Sequence, residues 1–390
     1  MEEGSVTSIR RVALVHDFLL DLRGAERVFA AMCDIWPHAD VFTAVYDERG
    51  TEGRFAHREI RTSFLQRLRP TARSFRALLP LYPYAIESFD LSGYDVVISS
   101  SSAWAHGVIA DAEAVHLCYC YNPFRYAWNE REATLAARRP LSRIALRLVF
   151  NHWRQWDWIA AQRVDRYIAI SEIARQRISR YYGRDADVLH PPVDTARFEP
   201  GPVGDYHLVV SELMFHKRIE VAVRAFNRLG LPLIVAGDGP EARRLHRIAG
   251  PSVRFEGRVS DARVAQLMQG ARALIVPATE EFGIAAVEAQ AAGRPVIALN
   301  AGGVRETVVP GETGTFFERP EPAALAAAVE RFDPLAIDPQ ACVEQASRFD
   351  RDRFREGLTS AVAAALAEPR AERRAARRAR RRPARLRAQA

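Results

Sequence analysis

Residues Leu208 to Ile219, LVVSELMFHKRI, begin with three large apolar residues and end on charged ones that open a helical pattern. A short, near-continuous apolar run reads as a strand buried on both faces, and the helix after it crosses back over the sheet. Outward from this stretch the same unit recurs. Apolar runs stand at Leu231 to Ala236, Val253 to Phe255, Ala273 to Val276 and Pro295 to Ala298, each trailed by a helical pattern. On the other side lie Val12 to His16, Val41 to Tyr46, Tyr94 to Ser99 and Val115 to Tyr119, the first leading through Asp17 to Gly24 into a helix from Ala25 to Trp36. The alternation predicts an α/β fold of two Rossmann-like doubly wound domains facing across a cleft, with ligands held beyond the carboxyl ends of the strands. His190-Pro191-Pro192-Val193-Asp194 reads as a stiff linker between them. The expected division is 1–190, 191–350, a helix over 351–368 returning to the first domain, and a tail over 369–390.

Composition narrows the function classes. The chain has 390 residues, 48% of them apolar, enough for two ordinary cores. Its formal charge of +7 is local: ten arginines against Glu372 give residues 370 to 390 a charge of +9 and leave the rest at −2. The globular part therefore carries no nucleic-acid signature. Leu386 is the one large apolar residue of the tail, so the tail is expected to be a disordered basic arm. It would be drawn to anionic lipid, or to any polyanion by the same field, or it has no dedicated partner. No run reaches the ~20 apolar residues of a membrane span and Met1 to Arg11 lacks a signal-peptide core, so the expected location is cytoplasmic, peripheral on the inner membrane face if the tail docks. Cys33, Cys118, Cys120 and Cys342 lack metal-site spacing and read as buried thiols.

Lys217 is the sole lysine, against 54 arginines. An ammonium is a compact point charge suited to a phosphate held at one place, whereas guanidinium is a planar fork. A lone lysine after a buried strand is a candidate diphosphate contact; chance survival on a solvated helix face is the other reading. Residues 277 to 293, PATEEFGIAAVEAQAAG, add two glutamates, Glu280 in a loop and Glu288 on the helix it leads into. Between them the N–H groups of Phe282, Gly283 and Ile284 sit at a helix start, where unpaired donors favour phosphate and glycine permits close approach. Carboxylates accept bonds from vicinal hydroxyls, so the set suits a sugar, a diphosphate and a ribose. Either glutamate would also be favourable with no ligand, near a helix start or on a surface.

Other features are weaker. Leu141, Ile144, Leu148, Val149, Trp156 and Ile159 make a basic amphipathic helix over 141–161, for core packing or for a membrane surface. Asp185-Ala186-Asp187 fits the Asp-x-Asp pattern of metal-dependent transferases but reads as a solvated loop. Gly237-x-Gly239 lacks the rest of a dinucleotide fingerprint.

Glu280 and Glu288, followed by Gly293-Arg294-Pro295-Val296-Ile297-Ala298 and Gly302-Gly303-Val304-Arg305-Glu306-Thr307-Val308, resemble the C-terminal signature of the family-four retaining nucleotide-sugar glycosyltransferases of GT-B architecture. Val209 to Arg218 resembles that family's diphosphate segment, Gly237-Asp238-Gly239-Pro240 its following loop, and Val15-His16-Asp17 with Arg23-Gly24-Ala25-Glu26 its glycine loop. Asp90 to Asp95, Ser99 to Ser102 and Asn122 to Trp128 resemble the bacterial polysaccharide mannosyltransferase branch. The resemblance covers roughly residues 10 to 365. It implies that Glu288 binds the donor ribose, Glu280 the transferred sugar, Lys217 and the N–H groups of Phe282, Gly283 and Ile284 the diphosphate, with Gly24 and Tyr121 facing the donor. It implies transfer of a hexose, mannose from GDP-mannose being the best guess, to a lipid-linked glycan, with retention and no metal. Two residues depart from the family: Glu212 stands where an arginine is usual, which puts extra weight on Lys217, and Tyr121 where many members have histidine. A nucleotide-sugar epimerase of the same fold, or a non-catalytic nucleotide-sugar-binding or scaffold subunit, are the alternatives.

Overall fold

A computed structural model describes residues 11–72, 74–136 and 140–381. The chain forms two compact units, one of residues up to Leu189 together with Arg355 onward, the other His190–Phe354. In the first, strands β1 (Val12–His16), β2 (Asp40–Thr43), β3 (Ile60–Thr62), β4 (Val96–Ser101), β5 (Val115–Cys120), β6 (Arg166–Ala169) and β7 (Ala186–Val188) form a sheet ordered β3-β2-β1-β4-β5-β6-β7. In the second, β8 (His207–Val210), β9 (Leu233–Ala236), β10 (Val253–Gly257), β11 (Leu274–Val276), β12 (Val296–Leu299) and β13 (Gly314–Phe317) are ordered β10-β9-β8-β11-β12-β13. Every pairing is parallel. Both sheets are thus doubly wound, with strand order reversing at β1/β4 and at β8/β11. At such a point the crossovers leave to opposite faces and a crevice opens beyond the strand ends.

The central strands are apolar because helices cover both faces: Ala13, Leu14 and Val15 of β1 and Val96, Val97 and Ile98 of β4 are fully buried. In the second unit the helix Ile219–Leu229 turns Ile219, Ala222, Val223 and Phe226 inward, Arg224 and Arg228 outward, and stops at Gly230 in the left-handed conformation. Leu325 and Val329 of the helix Pro322–Arg331 complete the same core.

Four strands escape the apolar-run reading: β3 (IRT), β6 (RYIA), β7 (ADV) and β13 (GTFF). Three form sheet edges and all four are short, so their pairing comes from the neighbouring strand more than from their own side chains. Asp187, expected in a solvated loop, pairs with Ile168 in β7. The tail reading also changes. Residues Arg370–Arg381 form a helix rather than a solvated arm. Arg377 reaches back to Asp165 with bonds of 2.7 and 2.5 Å and to the carbonyls of Ala112 and Ala114, while Arg373 is buried against the carbonyls of Ala365 and Glu368. Residues 382–390 and 1–10 lie outside the described residues. The four cysteines are buried and free.

Candidate functional site

The second unit gathers most of the expected site at its β8/β11 switch point. After β8 the chain runs through Ser211 to Met214 into a single turn, Phe215–Lys217, and then into the helix Ile219–Leu229. After β11 it runs through Pro277 to Phe282 and Gly283 into the helix Ile284–Ala291. Adjacent strands therefore deliver Lys217 and Glu280 to one crevice, where Lys217 Nζ donates to Glu280 Oε2 at 2.6 Å. Both side chains keep about a quarter of their surface exposed, 25% and 21%, so the pair faces an opening. An ammonium has three N–H donors and Glu280 takes one, which leaves two for an incoming oxyanion.

Gly283 has φ +95°, a left-handed conformation that few other residues adopt, and a Cβ there would meet Val304 Cγ1 at 2.8 Å. It forms the N-cap of the eight-residue helix without a capping side chain. The first N–H groups of that helix have no acceptor within it, and the dipole there favours negative charge. Glu288 lies four residues after Ile284 on the same helix face and is half-buried.

Gly302 and Gly303 shape this loop, a role not read from the signature that contains them. Glu280 bridges Gly302 in a strand-like pairing, and Gly303 N donates to Glu280 O at 2.8 Å. A Cβ on Gly302 would lie 2.3 Å from Glu280 O, and one on Gly303 only 2.4 Å from Glu281 O and Phe282 Cα. Gly237 presses likewise on the β8 loop: its φ is +140° and a Cβ would lie 1.9 Å from Ser211 O. Glu212 is half-buried there, its carbonyl accepting from Met214 N at 2.8 Å.

Gly24 and Tyr121 belong to the first unit, whose β1/β4 switch point is filled from within. Asp17, directly after β1, is fully buried, and its carboxylate accepts from Ser102 N (2.6 Å), Ser102 Oγ (2.9 Å), Ala103 N (3.1 Å), Trp104 N (2.7 Å) and Ala105 N (2.6 Å). A carboxylate of the chain thus takes the place that an anion would take in such a crevice.

The tyrosine hydroxyl, expected to meet a sugar, has its one proton committed. Tyr121 donates to Ala25 O at 3.0 Å, so it must accept from Ser100 Oγ at 2.8 Å, and Ser100 must in turn accept from His16 Nδ1 at 3.0 Å. Burial pushes the Tyr121 hydroxyl well above the usual phenol range, which keeps that proton in place. The chain ends on the first turn of the helix Gly24–Ile35, where Glu26 accepts from Arg23 N at 3.1 Å. Tyr121 therefore ties the end of β5 to the start of that helix, beside Gly24, and has no second proton to donate.

The helix Pro140–Ala161 divides its apolar residues. Phe150 and Trp153 are buried and Val149 and Trp156 pack on the core, while Ile144 (62% exposed), Leu148 (68%) and Ile159 (53%) face solvent. Among the described residues no helix is long and apolar enough to cross a membrane, and no three His, Cys, Asp or Glu side chains group as a metal site.

Residues 22–197 match the family described as Glycosyltransferase Family 4, and residues 198–349 the family described as Glycosyl transferases group 1. A glycogen synthase of Mycobacterium tuberculosis is 29% identical over 219 residues, which cover 50% of this chain and 51% of that protein. D-inositol 3-phosphate glycosyltransferase 2 of Catenulispora acidiphila is 32% identical over 225 residues, 47% of this chain and 52% of that protein. The matches thus span about half the length of these relatives. Among solved structures, Anabaena HepE in complex with UDP and glucose superposes with a TM-score of 0.69 at 19% identity, covering 90% of this chain and 99% of that one. Sucrose-phosphate synthase from Thermosynechococcus elongatus gives 0.73 at 19% identity, over 92% and 100%.

Proposed function

We propose that this chain, which has the GT-B fold of the group 1 and family 4 glycosyltransferases, transfers a hexose from a nucleotide sugar to a glycan acceptor with retention of configuration. The observation that carries the reading is the Lys217–Glu280 pair beside the uncapped helix at Gly283, at the β8/β11 switch point. As the glycosyl–phosphate bond breaks, negative charge grows on the leaving diphosphate. Lys217 and the N–H groups of Phe282, Gly283 and Ile284 are fixed in advance where that charge develops, and such preorganised donors stabilise a transition state more than the ground state. Glu280, freed from Lys217 or shared with it, accepts from a sugar hydroxyl, and Glu288 from the ribose. The charge is met by side-chain and backbone donors, so we propose that no metal takes part.

Mannose from GDP-mannose is the preferred donor, on the resemblance of Asp90 to Asp95 and Asn122 to Trp128 to the polysaccharide mannosyltransferase branch, and a lipid-linked glycan is the preferred acceptor. Exposed Ile144 and Leu148 beside Arg147 support work at an anionic membrane surface from the cytoplasmic side. A UDP-sugar is the second reading, favoured by the UDP-glucose complex of the structurally similar HepE.

The test is calorimetry and nucleotide release with a panel of nucleotide sugars, on wild type, Glu288→Ala and Lys217→Arg. One donor should bind wild type in the micromolar to millimolar range, and Glu288→Ala should weaken it at least tenfold. Lys217→Arg should fold normally but lose most of its rate, because a guanidinium cannot occupy the ammonium's place between Glu280 and a phosphate. Absence of any binding, or full activity in both variants, rejects the assignment.

A further inference from the structure

The loop that carries Glu280 and Gly283 is held from beneath by a group of rings that no role in sugar transfer explains. Phe282, 2% exposed, turns away from the crevice and meets His190 (ring centroids 5.3 Å apart) and Phe349 (5.4 Å); His190 and Phe349 close the triangle at 5.2 Å. His190 Nε2 donates to Glu306 Oε2 at 2.8 Å. A carboxylate can only accept, so this bond fixes Nε2 as protonated and holds the ring in one orientation.

Glu306 belongs to the helical turn Val304–Thr307, which follows directly on Gly302 and Gly303, and its N–H donates to Gly303 O at 2.9 Å. His190 therefore touches the 280–283 loop twice, through Phe282 and through the turn whose glycines press on Glu280 and Phe282. Its own segment is anchored, since Val193 N donates to Phe349 O at 2.8 Å and Arg351 pairs with Asp194 at 3.1 Å. The sequence shows His190 only as the first residue of a Pro-Pro linker, 116 positions from Glu306.

We infer that His190 is a positioning residue for the candidate donor site: through Phe282 and Glu306 it sets the height of the Glu280–Gly283 loop, and so the place of the N–H groups and carboxylate that would receive a sugar diphosphate. The inference rests on the function proposed above, but its first readout does not. Loss of the ring removes the surface on which Phe282 stands, and the loop gains freedom that a ligand must take away again on binding, so affinity falls.

Two variants separate the contacts. His190→Phe keeps a ring against Phe282 and Phe349 but removes the His190 N–H from Glu306, whereas His190→Gln supplies a donor and no ring. Amide hydrogen exchange of the full chain without ligand should show residues 280–284 losing protection in His190→Ala, by about tenfold or more, with β11 and β12 unchanged. The Phe and Gln variants should each restore part of it. With a donor found as above, its KM should rise about tenfold in His190→Ala, kcat should fall less, and the acceptor KM should stay put. Unchanged exchange at 280–284 in a folded variant overturns the inference, as does an even loss of protection across the second unit, which marks His190 as a general support. If no nucleotide sugar binds wild type, the proposed function fails, and the exchange pattern still decides the role of His190.

Discussion

Gly303→Ala is the sharpest probe of the cradle around the candidate donor loop. Gly303 is the N-cap of the turn Val304–Thr307, with φ −68° and ψ −18°, so alanine meets no left-handed backbone penalty there, although glycine is the better N-cap residue. Most of the cost is contact. The added methyl would stand 2.4 Å from Glu281 O and from Phe282 Cα, both main-chain atoms that cannot swing aside. Carbon atoms rest about 3.5–4.0 Å apart, so one side must retreat by roughly 1 Å. Overpacking of this kind costs about 1–3 kcal/mol, so the melting temperature should fall by several degrees. The loop's displacement is the larger effect. A shift of about 1 Å at groups that align a reacting centre costs on the order of 100-fold in rate. The assay pairs a thermal melt with donor titration and initial rates. A folded Gly303→Ala protein with a rate within about threefold of wild type would refute the reasoning, because the loop would then be either compliant or remote from the chemistry.

Two further predictions concern the first unit. Arg377→Ala leaves the Asp165 carboxylate, 8% exposed, with only the His116 N–H to meet its charge and should cost about 2–3 kcal/mol by urea denaturation. Adding Asp165→Asn should recover much of that loss, whereas equal losses in single and double variants would show that the helix Arg370–Arg381 contributes nothing through this pair. The second is a pH effect. Burial pushes His116 down to about 3, with its Nε2 against Ser99 Oγ at 2.8 Å and its Nδ1 without a partner. The unfolded imidazole takes up its proton near pH 6.5 while the folded one does not, so stability is intact above that value and declines as pH falls towards 3. At pH 5 the loss is roughly 2 kcal/mol. Because buried His207, pushed down to about 4, titrates in both proteins, denaturation at pH 7 and pH 5 should show a loss about 2 kcal/mol larger in wild type than in His116→Gln; equal losses would contradict it.

Much of the fold can be read from sequence because the central strands are written in Val, Ile and Leu, and a strand buried on both faces can hardly be written otherwise. Edge strands such as β3 and β7 carry no such constraint. The site divides the same way. Lys217, Glu280, Gly283 and Glu288 each follow a readable strand, so a short loop delivers them to the sheet's carboxyl edge. The partners of Asp17 at residues 102–105 and that of His190 at Glu306 meet only after folding, across 85 to 116 positions. Tyr121 is half-legible for a related reason: its neighbours in sequence suggest a sugar contact, while its partners within the chain, Ser100 and Ala25, come from other strands and helices. Composition misled at the tail, where arginine and alanine are good helix formers and Arg377 finds an acid 212 residues away.

Asp17 has a consequence for traffic. Two doubly wound halves offer two crevices of similar build, and a chain that left both open would divide its nucleotide between a fruitful seat and an idle one. Here one crevice is closed by the chain's own Asp17 carboxylate, which accepts from donors at residues 102–105, so a free anion would have to displace an intramolecular partner. On the proposed function, a diphosphate would be left the crevice after β8, in the half that carries Lys217. On that reading, the nucleotide would be directed to the second unit before either substrate is present.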